Sequence, residues 1–222
     1  LRGLPGTYVG RTARYWHPCI ERNGTILDTD PDDYGPDIFV DFILDFAHRN
    51  REKPFLVYYP MLLPHRSWDF EQKMAGYLPV PEIDENGNRT GGKVEGSLKS
   101  NVEYMDHMLK RIVEGLEKEG LWENTLLIFT GDNGTTGYGK GNVSEDRGPR
   151  VPMLFTSGEL VEHHGKIDAL MDFSDLLPTI CDAAGIPLPD EEIFDGHSMM
   201  PVLKGESDGV REWIFSYYSD YR

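Results

Sequence analysis

The chain has 222 residues and a formal charge of −16, from 22 Lys plus Arg against 38 Asp plus Glu. That balance argues against nucleic acid or an anionic membrane surface as the main partner, and the lack of any apolar run of about 18 residues excludes a transmembrane helix. The length suits one large domain or two small ones, and Cys19 and Cys181 allow one disulfide or none.

Residues 1–35 read as an irregular lead-in, punctuated by Pro5, Gly6, Gly10, Pro18 and Gly24, with a short strand near Gly24–Leu27. From Pro36 the spacing of Ile38, Phe39, Phe42, Ile43, Phe46 and Ala47 predicts an amphipathic helix. It stops near Lys53-Pro54, because the residue before proline leaves the helical region. Phe55–Tyr59 reads as a short buried strand. Residues 64–95 read as one long loop. A second helix is predicted over Gly96–Glu119, with Val102, Met105, Leu109, Ile112, Val113 and Leu116 as its apolar stripe and Gly120 as its cap. Thr125–Thr130 and Val151–Phe155 read as strands, separated by a glycine-rich loop. Asp172 opens a helix through about Ala184, and Trp213–Tyr218 is a last strand. Helices alternating with strands predict an α/β domain over 36–222 with a mainly parallel sheet.

In such sheets ligands gather at the carboxyl ends of strands. The strand at 125–130 runs into Gly131-Asp132-Asn133-Gly134. A carboxylate and an amide oxygen side by side suit a hard cation such as Ca²⁺ or Mg²⁺, although Asp-Asn-Gly is also a good turn sequence. His65 lies just beyond the 55–59 run, after Pro64, where a histidine can act as a general acid near neutral pH. Lys140, between Gly139 and Gly141, can set a compact positive charge on an anionic oxygen. His163-His164 reads as a solvated pair, since adjacent residues do not face one another. His107 reads as a solvent-facing helix residue, and the acidic run Asp28–Asp33 lacks the closing Glu of a calcium loop. Four Asn-x-Ser/Thr triplets, at Asn23, Asn88, Asn133 and Asn142, matter only in a eukaryotic secretory context.

Taken in order, several segments resemble the sulfatase family, arylsulfatase-like members of the alkaline phosphatase superfamily. They are Pro54–His65, Tyr104-Met105-Asp106, Gly120–Gly134, Lys140-Gly141, Arg150-Val151-Pro152, Asp175–Ile180, Ala184-Gly185 and Asp195-Gly196. The resemblance implies a three-layer sandwich around a mainly parallel sheet, alkaline phosphatase/sulfatase-like and incomplete. It also implies roles. Asp132 and Asn133 become two ligands of a divalent cation, usually Ca²⁺, with Mg²⁺ possible. His65 becomes the histidine that contacts the sulfate and assists departure of the alcohol, and Lys140 the lysine that holds a sulfate oxygen. Where the family commonly has a glutamate followed by paired glycines, this chain has Glu145–Arg150.

The family's nucleophile is a formylglycine made from a Cys or Ser that begins a Cys/Ser-x-Pro/Ala-x-Arg motif. Cys19-Ile-Glu-Arg-Asn23 fails at both fixed positions, and Cys181-Asp-Ala-Ala-Gly185 has Gly185 in place of Arg. The paired aspartates that complete the family's metal site have no convincing match either; Asp32-Asp33 follows no apolar strand. The chain therefore reads as a fragment of the catalytic domain, without the nucleophile-bearing region and the small C-terminal domain, and inactive alone. The substrate class implied is a small-molecule or carbohydrate sulfate ester, in a periplasmic, secreted or lysosomal setting. A phosphate or phosphonate ester hydrolase of the same superfamily, and a non-catalytic sulfatase-like binding protein, are the alternatives.

Overall fold

A computed structural model describes residues 2–3, 7–8, 11–12, 14–69, 74–134, 139–141, 145–188 and 194–217. It divides into two compact units, Leu1–Gly120 and Leu121–Arg222.

In the first unit the lead-in carries short strands: β1 (Arg2–Gly3), β2 (Thr7–Tyr8), β3 (Arg11–Thr12), β4 (Ile20–Arg22) and β5 (Thr25–Ile26). The β4–β5 hairpin turns at Asn23 and Gly24, both with positive φ, which is where sequence spacing put the strand near 24–27. Helix α1 spans Gly35–Asn50. Pro36 starts it, and Asp37 near its start with His48 and Arg49 near its end complement the helix dipole. Helix α2 spans Leu98–Lys118. Its start is a reciprocal capping box: Ser100 N–H donates to Ser97 Oγ (3.0 Å) and Ser97 N–H to Ser100 Oγ (2.9 Å). Gly120, at φ +68, ends the turn that follows. The two helices pack closely because Gly115 has no side chain: a Cβ there would overlap Leu44.

The inward stripe of α2 differs from the expected one. Tyr104, Met108, Ile112 and Leu116 are buried, at strict four-residue spacing, and Val102 is exposed. Tyr104 belongs to the stripe because its ring is apolar and its hydroxyl finds a buried partner. The same register makes His107 half-buried rather than solvent-facing: its ring lies 5.5 Å from that of Tyr104. Burial and the nearby Arg111 lower its pKa.

The expected long loop at 64–95 is instead largely folded. It holds two hairpins, β6 (Ser67–Asp69) with β7 (Met74–Gly76) and β8 (Val80–Ile83) with β9 (Arg89–Val94). Asp84 shapes the second turn by accepting from the N–H groups of Asn86 (2.9 Å) and Asn88 (2.8 Å). The expected buried strand at 55–59 is not a strand. Leu56 and Tyr58 are 69% and 88% exposed. Only Phe55 and Tyr59 turn inward, against Phe46 and Phe39 of α1. An apolar run becomes a buried strand only when neighbours supply its ladder partners, and none of the described residues pairs with it.

In the second unit β10 (Leu127–Thr130) pairs antiparallel with β11 (Met153–Thr156), from Leu127 opposite Thr156 to Thr130 opposite Met153. Pro152 lies just before β11, where its missing N–H is not asked for, while its carbonyl still accepts from Gly131 N–H. A 3₁₀ turn (Phe173–Asp175), capped by Asp172, leads into α3 (Leu176–Ala183), and Gly185 at φ +65 closes it. A short α4 (Met200–Leu203) follows. Val161, Met199, Met200, Val202 and Leu203 form the core, with Leu126, Phe155, Ile167 and Met171 packed on it. The expected strand at 213–218 is not formed over 213–217: Trp213, Phe215 and Tyr217 are about 70% exposed and lie against no partner strand. Tyr218 lies outside the described residues. Every strand pair among the described residues is antiparallel, so the parallel sheet expected from the alternation is not among them. Hairpin turns make the small sheets, and the β10–β11 connection carries no crossover helix among its described residues.

Candidate active site

His65 sits in the first unit, on a tight turn after a cis Leu63–Pro64 bond. Its N–H donates to the Leu62 carbonyl at 2.8 Å. Its own carbonyl accepts from the Tyr15 hydroxyl at 2.6 Å, and the same hydroxyl reaches the Leu62 carbonyl at 3.1 Å. Tyr15 is 2% exposed. Its ring stacks on Tyr34 at 5.8 Å, and its carbonyl accepts from Gly35 N–H at 2.7 Å. Burial pushes the Tyr15 phenol well above its usual range, so it stays a neutral donor. The imidazole of His65 is exposed, and Nδ1 lies against the Arg66 carbonyl. A carbonyl only accepts, so Nδ1 carries the proton. Nε2 is then the free nitrogen, the one left to meet a substrate.

Asp132, Asn133 and Lys140 all belong to the second unit. β10 delivers Gly131, whose N–H donates to Pro152 O at 3.2 Å. Gly134 N–H then donates to Gly148 O at 3.1 Å. A Cβ on Gly134 would lie 2.5 Å from Arg147 O and 3.2 Å from the Lys140 nitrogen, and one on Gly139 would overlap Arg147 O. Three stretches of backbone therefore cross at this point, and only glycine permits it. The crossing brings the backbone nitrogen of Lys140 up to Gly134, next in sequence to Asp132-Asn133, and all three side chains are exposed. Neighbouring arginines are engaged elsewhere, Arg147 with Glu145 and Arg150 with Asp146. The two oxygen donors suit Ca²⁺ or Mg²⁺ in kind, but they are two of the six to eight that Ca²⁺ takes. Among the described residues no group of three or more His, Cys, Asp or Glu side chains could hold a metal. His163 and His164 are exposed, as the solvated-pair reading expects, and Cys19 and Cys181 are free.

Two buried ionic networks were not legible as such. In the first unit Asp37, 8% exposed, accepts from Tyr104 Oη (2.8 and 3.0 Å) and Arg111 Nη1 (3.0 Å), with Arg89 at 3.6 Å. Burial nevertheless raises its pKa, against the pull of Tyr104 and the arginines. In the second unit Asp175 is fully buried. It accepts from Arg211 Nε (2.9 Å) and Nη2, from His197 N–H (2.7 Å) and from Asp172 N–H (2.8 Å). Burial opposes its charge, but Arg211 and the two backbone donors hold its carboxyl below the usual range. Thr179 extends this network: its hydroxyl donates to Asp175 O (2.6 Å) and accepts from Met199 N–H (2.9 Å). A Cβ on Gly196 would overlap Ser174 O. Two of the segments that carry the resemblance, Asp175–Ile180 and Asp195-Gly196, thus knit the second unit together.

The sulfatase family model matches residues 8–186, and the chain belongs to that family. It is 29% identical over 229 residues to the uncharacterized sulfatase YdeN of Escherichia coli (strain K12), covering 96% of this chain and 39% of that protein. It is 29% identical over 195 residues to the steryl-sulfatase of Homo sapiens, covering 79% and 31%. The crystal structure of Ps i-CgsB superposes with a TM-score of 0.63 at 22% identity, over 86% of this chain and 42% of that one. That of BT4656, solved with its substrate D-glucosamine-2-N,6-O-disulfate, gives a TM-score of 0.60 at 18% identity, over 94% and 58%. These two likenesses show the sulfatase fold. The chain spans about two fifths of the length of YdeN and less of the steryl-sulfatase. Among the described residues no helix is long and apolar enough to cross a membrane.

Proposed function

We propose that this chain is part of an enzyme that hydrolyses sulfate monoesters, to which residues of both units contribute. The observation that carries this reading is the backbone crossing that brings the Lys140 main chain up to Gly134, at the end of the Asp132-Asn133 loop, inside a stretch matched to the sulfatase family. A sulfate monoester is an anion whose leaving group departs as an oxyanion. The site must balance charge on the sulfuryl oxygens and give the leaving oxygen a proton. Lys140 holds one sulfuryl oxygen through its ammonium group. His65 presents Nε2 and, as the imidazolium, donates that proton to the departing alcohol. Asp132 and Asn133 would hold Ca²⁺, or Mg²⁺, which when bound supplies electrophilic stabilisation of a sulfuryl oxygen. The nucleophile is a formylglycine, from a Cys/Ser-x-Pro/Ala-x-Arg motif that these 222 residues do not contain. The −16 charge is no obstacle, because distant surface carboxylates are screened beyond about 10 Å.

The complete catalytic domain, on this reading, is a three-layer sandwich with a mainly parallel sheet. The proposed substrate is a small-molecule or carbohydrate sulfate ester; the disulfated glucosamine named with BT4656 is of the second class, and the name of the steryl-sulfatase points to the first. Family membership supports a periplasmic, secreted or lysosomal setting. The test is sulfate release from an aryl sulfate and a sulfated monosaccharide by the complete gene product. His65→Ala and Lys140→Ala each lower kcat by about 10²-fold or more, and Asp132→Ala removes the response to Ca²⁺. Faster hydrolysis of the matching phosphate ester refutes the assignment. Turnover of an aryl sulfate by the 222-residue chain alone refutes the formylglycine part.

A further inference from the structure

We propose that Tyr15 is a positioning residue for His65, holding the turn that aims the imidazole; this rests on the reading of His65 as the proton donor. The Tyr15 ring is core: it is buried and stacks on Tyr34, and phenylalanine would fill that space as well. The hydroxyl is what phenylalanine lacks. It spends itself on two carbonyls, Leu62 O and His65 O, 47 and 50 residues away, both in the turn that carries His65. Its one proton goes chiefly to the nearer His65 O and is shared with Leu62 O, which also accepts from His65 N–H. The His65 carbonyl belongs to the His65–Arg66 peptide plane. Holding that plane anchors one side of Arg66, whose φ and ψ then place the next carbonyl, Arg66 O, the partner of Nδ1. The guanidinium of Arg66 lies 5.1 Å from the Tyr77 ring and steadies the far side. Tyr15 thus sets the tautomer of His65 through two peptide groups, without approaching its ring nitrogens.

The experiment reads the tautomer, not turnover. The ring ¹⁵N shifts of His65 in the 222-residue chain, above its titration, give the ratio of the Nδ1–H to the Nε2–H form. The Nδ1–H form dominates in the unaltered chain. Tyr15→Phe lowers the ratio about fivefold, the loss expected of one net hydrogen bond, while His48, held by Glu119, keeps its own ratio. Leu63→Ala, a destabilising change in the same turn, leaves the ratio in place, so a general loosening does not mimic the effect. Site-specific 3-fluorotyrosine at position 15, a stronger donor of the same shape, raises the ratio and stands in should Tyr15→Phe not fold. A dominant Nε2–H form in the unaltered chain overturns the proposal. So does a ratio unmoved by either replacement. Full activity of His65→Ala in the complete enzyme would instead overturn the role of His65, and leave the effect of Tyr15 on the tautomer standing.

Discussion

Asp175→Ala is the most informative single change to the second unit. The substitution removes one acceptor that serves four donors: Arg211 Nε and Nη2, His197 N–H and Asp172 N–H. Asp175 has no exposed surface and the Arg211 side chain is 12% exposed, so water cannot easily replace the lost partner. Breaking a buried ion pair from one side costs about 3–5 kcal/mol, a large part of the roughly 5–15 kcal/mol that holds a domain. With an m-value of about 2 kcal/mol/M, the urea midpoint falls by about 2 M. Replacing both partners, as Asp175→Leu with Arg211→Met, recovers much of the loss, because no charge is then left buried alone. The pH dependence has a definite sign. The folded carboxyl titrates below its unfolded value of about 3.9. Its contribution is therefore complete above that value and disappears as pH falls through the folded titration. A loss below about 1 kcal/mol in Asp175→Ala at neutral pH refutes the reasoning.

Tyr104→Phe strips the buried Asp37 of its hydroxyl donor and costs about 1.5–3 kcal/mol by urea unfolding. Because that hydroxyl favours the charged carboxylate and burial raises its pKa, the loss is larger at pH 8 than at pH 5. Gly134→Ala places a Cβ 2.5 Å from Arg147 O, so the backbone must open by about 0.9 Å to reach the 3.4 Å of an ordinary contact. A displacement of that order beside Lys140 lowers kcat of the complete enzyme about 10²-fold; an unchanged kcat would show that the crossing does not place the lysine.

The helices were legible because their signals are local. Pro36 and Gly120 mark ends that tertiary packing had no reason to move. Phe55–Tyr59 and Trp213–Tyr217 misled for one shared reason: an apolar run states a preference for burial, and burial as a strand needs a partner strand, which none of the described residues supplies. The hairpins at 67–94 were hidden by glycines and prolines that mark turns inside a sheet as readily as they mark a loop. Asp132, Asn133 and Lys140 could be picked out because they share one short glycine-rich stretch. Tyr15, Asp37 and Arg211 could not, since each acts on residues 36 or more positions away. The one faint signal was Tyr104, an aromatic on the helical face whose polar tip required a buried partner.

Arg211 and Asp175 also act as a clasp, joining points 36 residues apart without a covalent bond. A disulfide across the same span would hold only where thiols are oxidised. This clasp ignores the redox state of its surroundings, and both cysteines of the chain are free. Acid is what opens it, because the clasp depends on the charge of the Asp175 carboxylate and not on thiol chemistry.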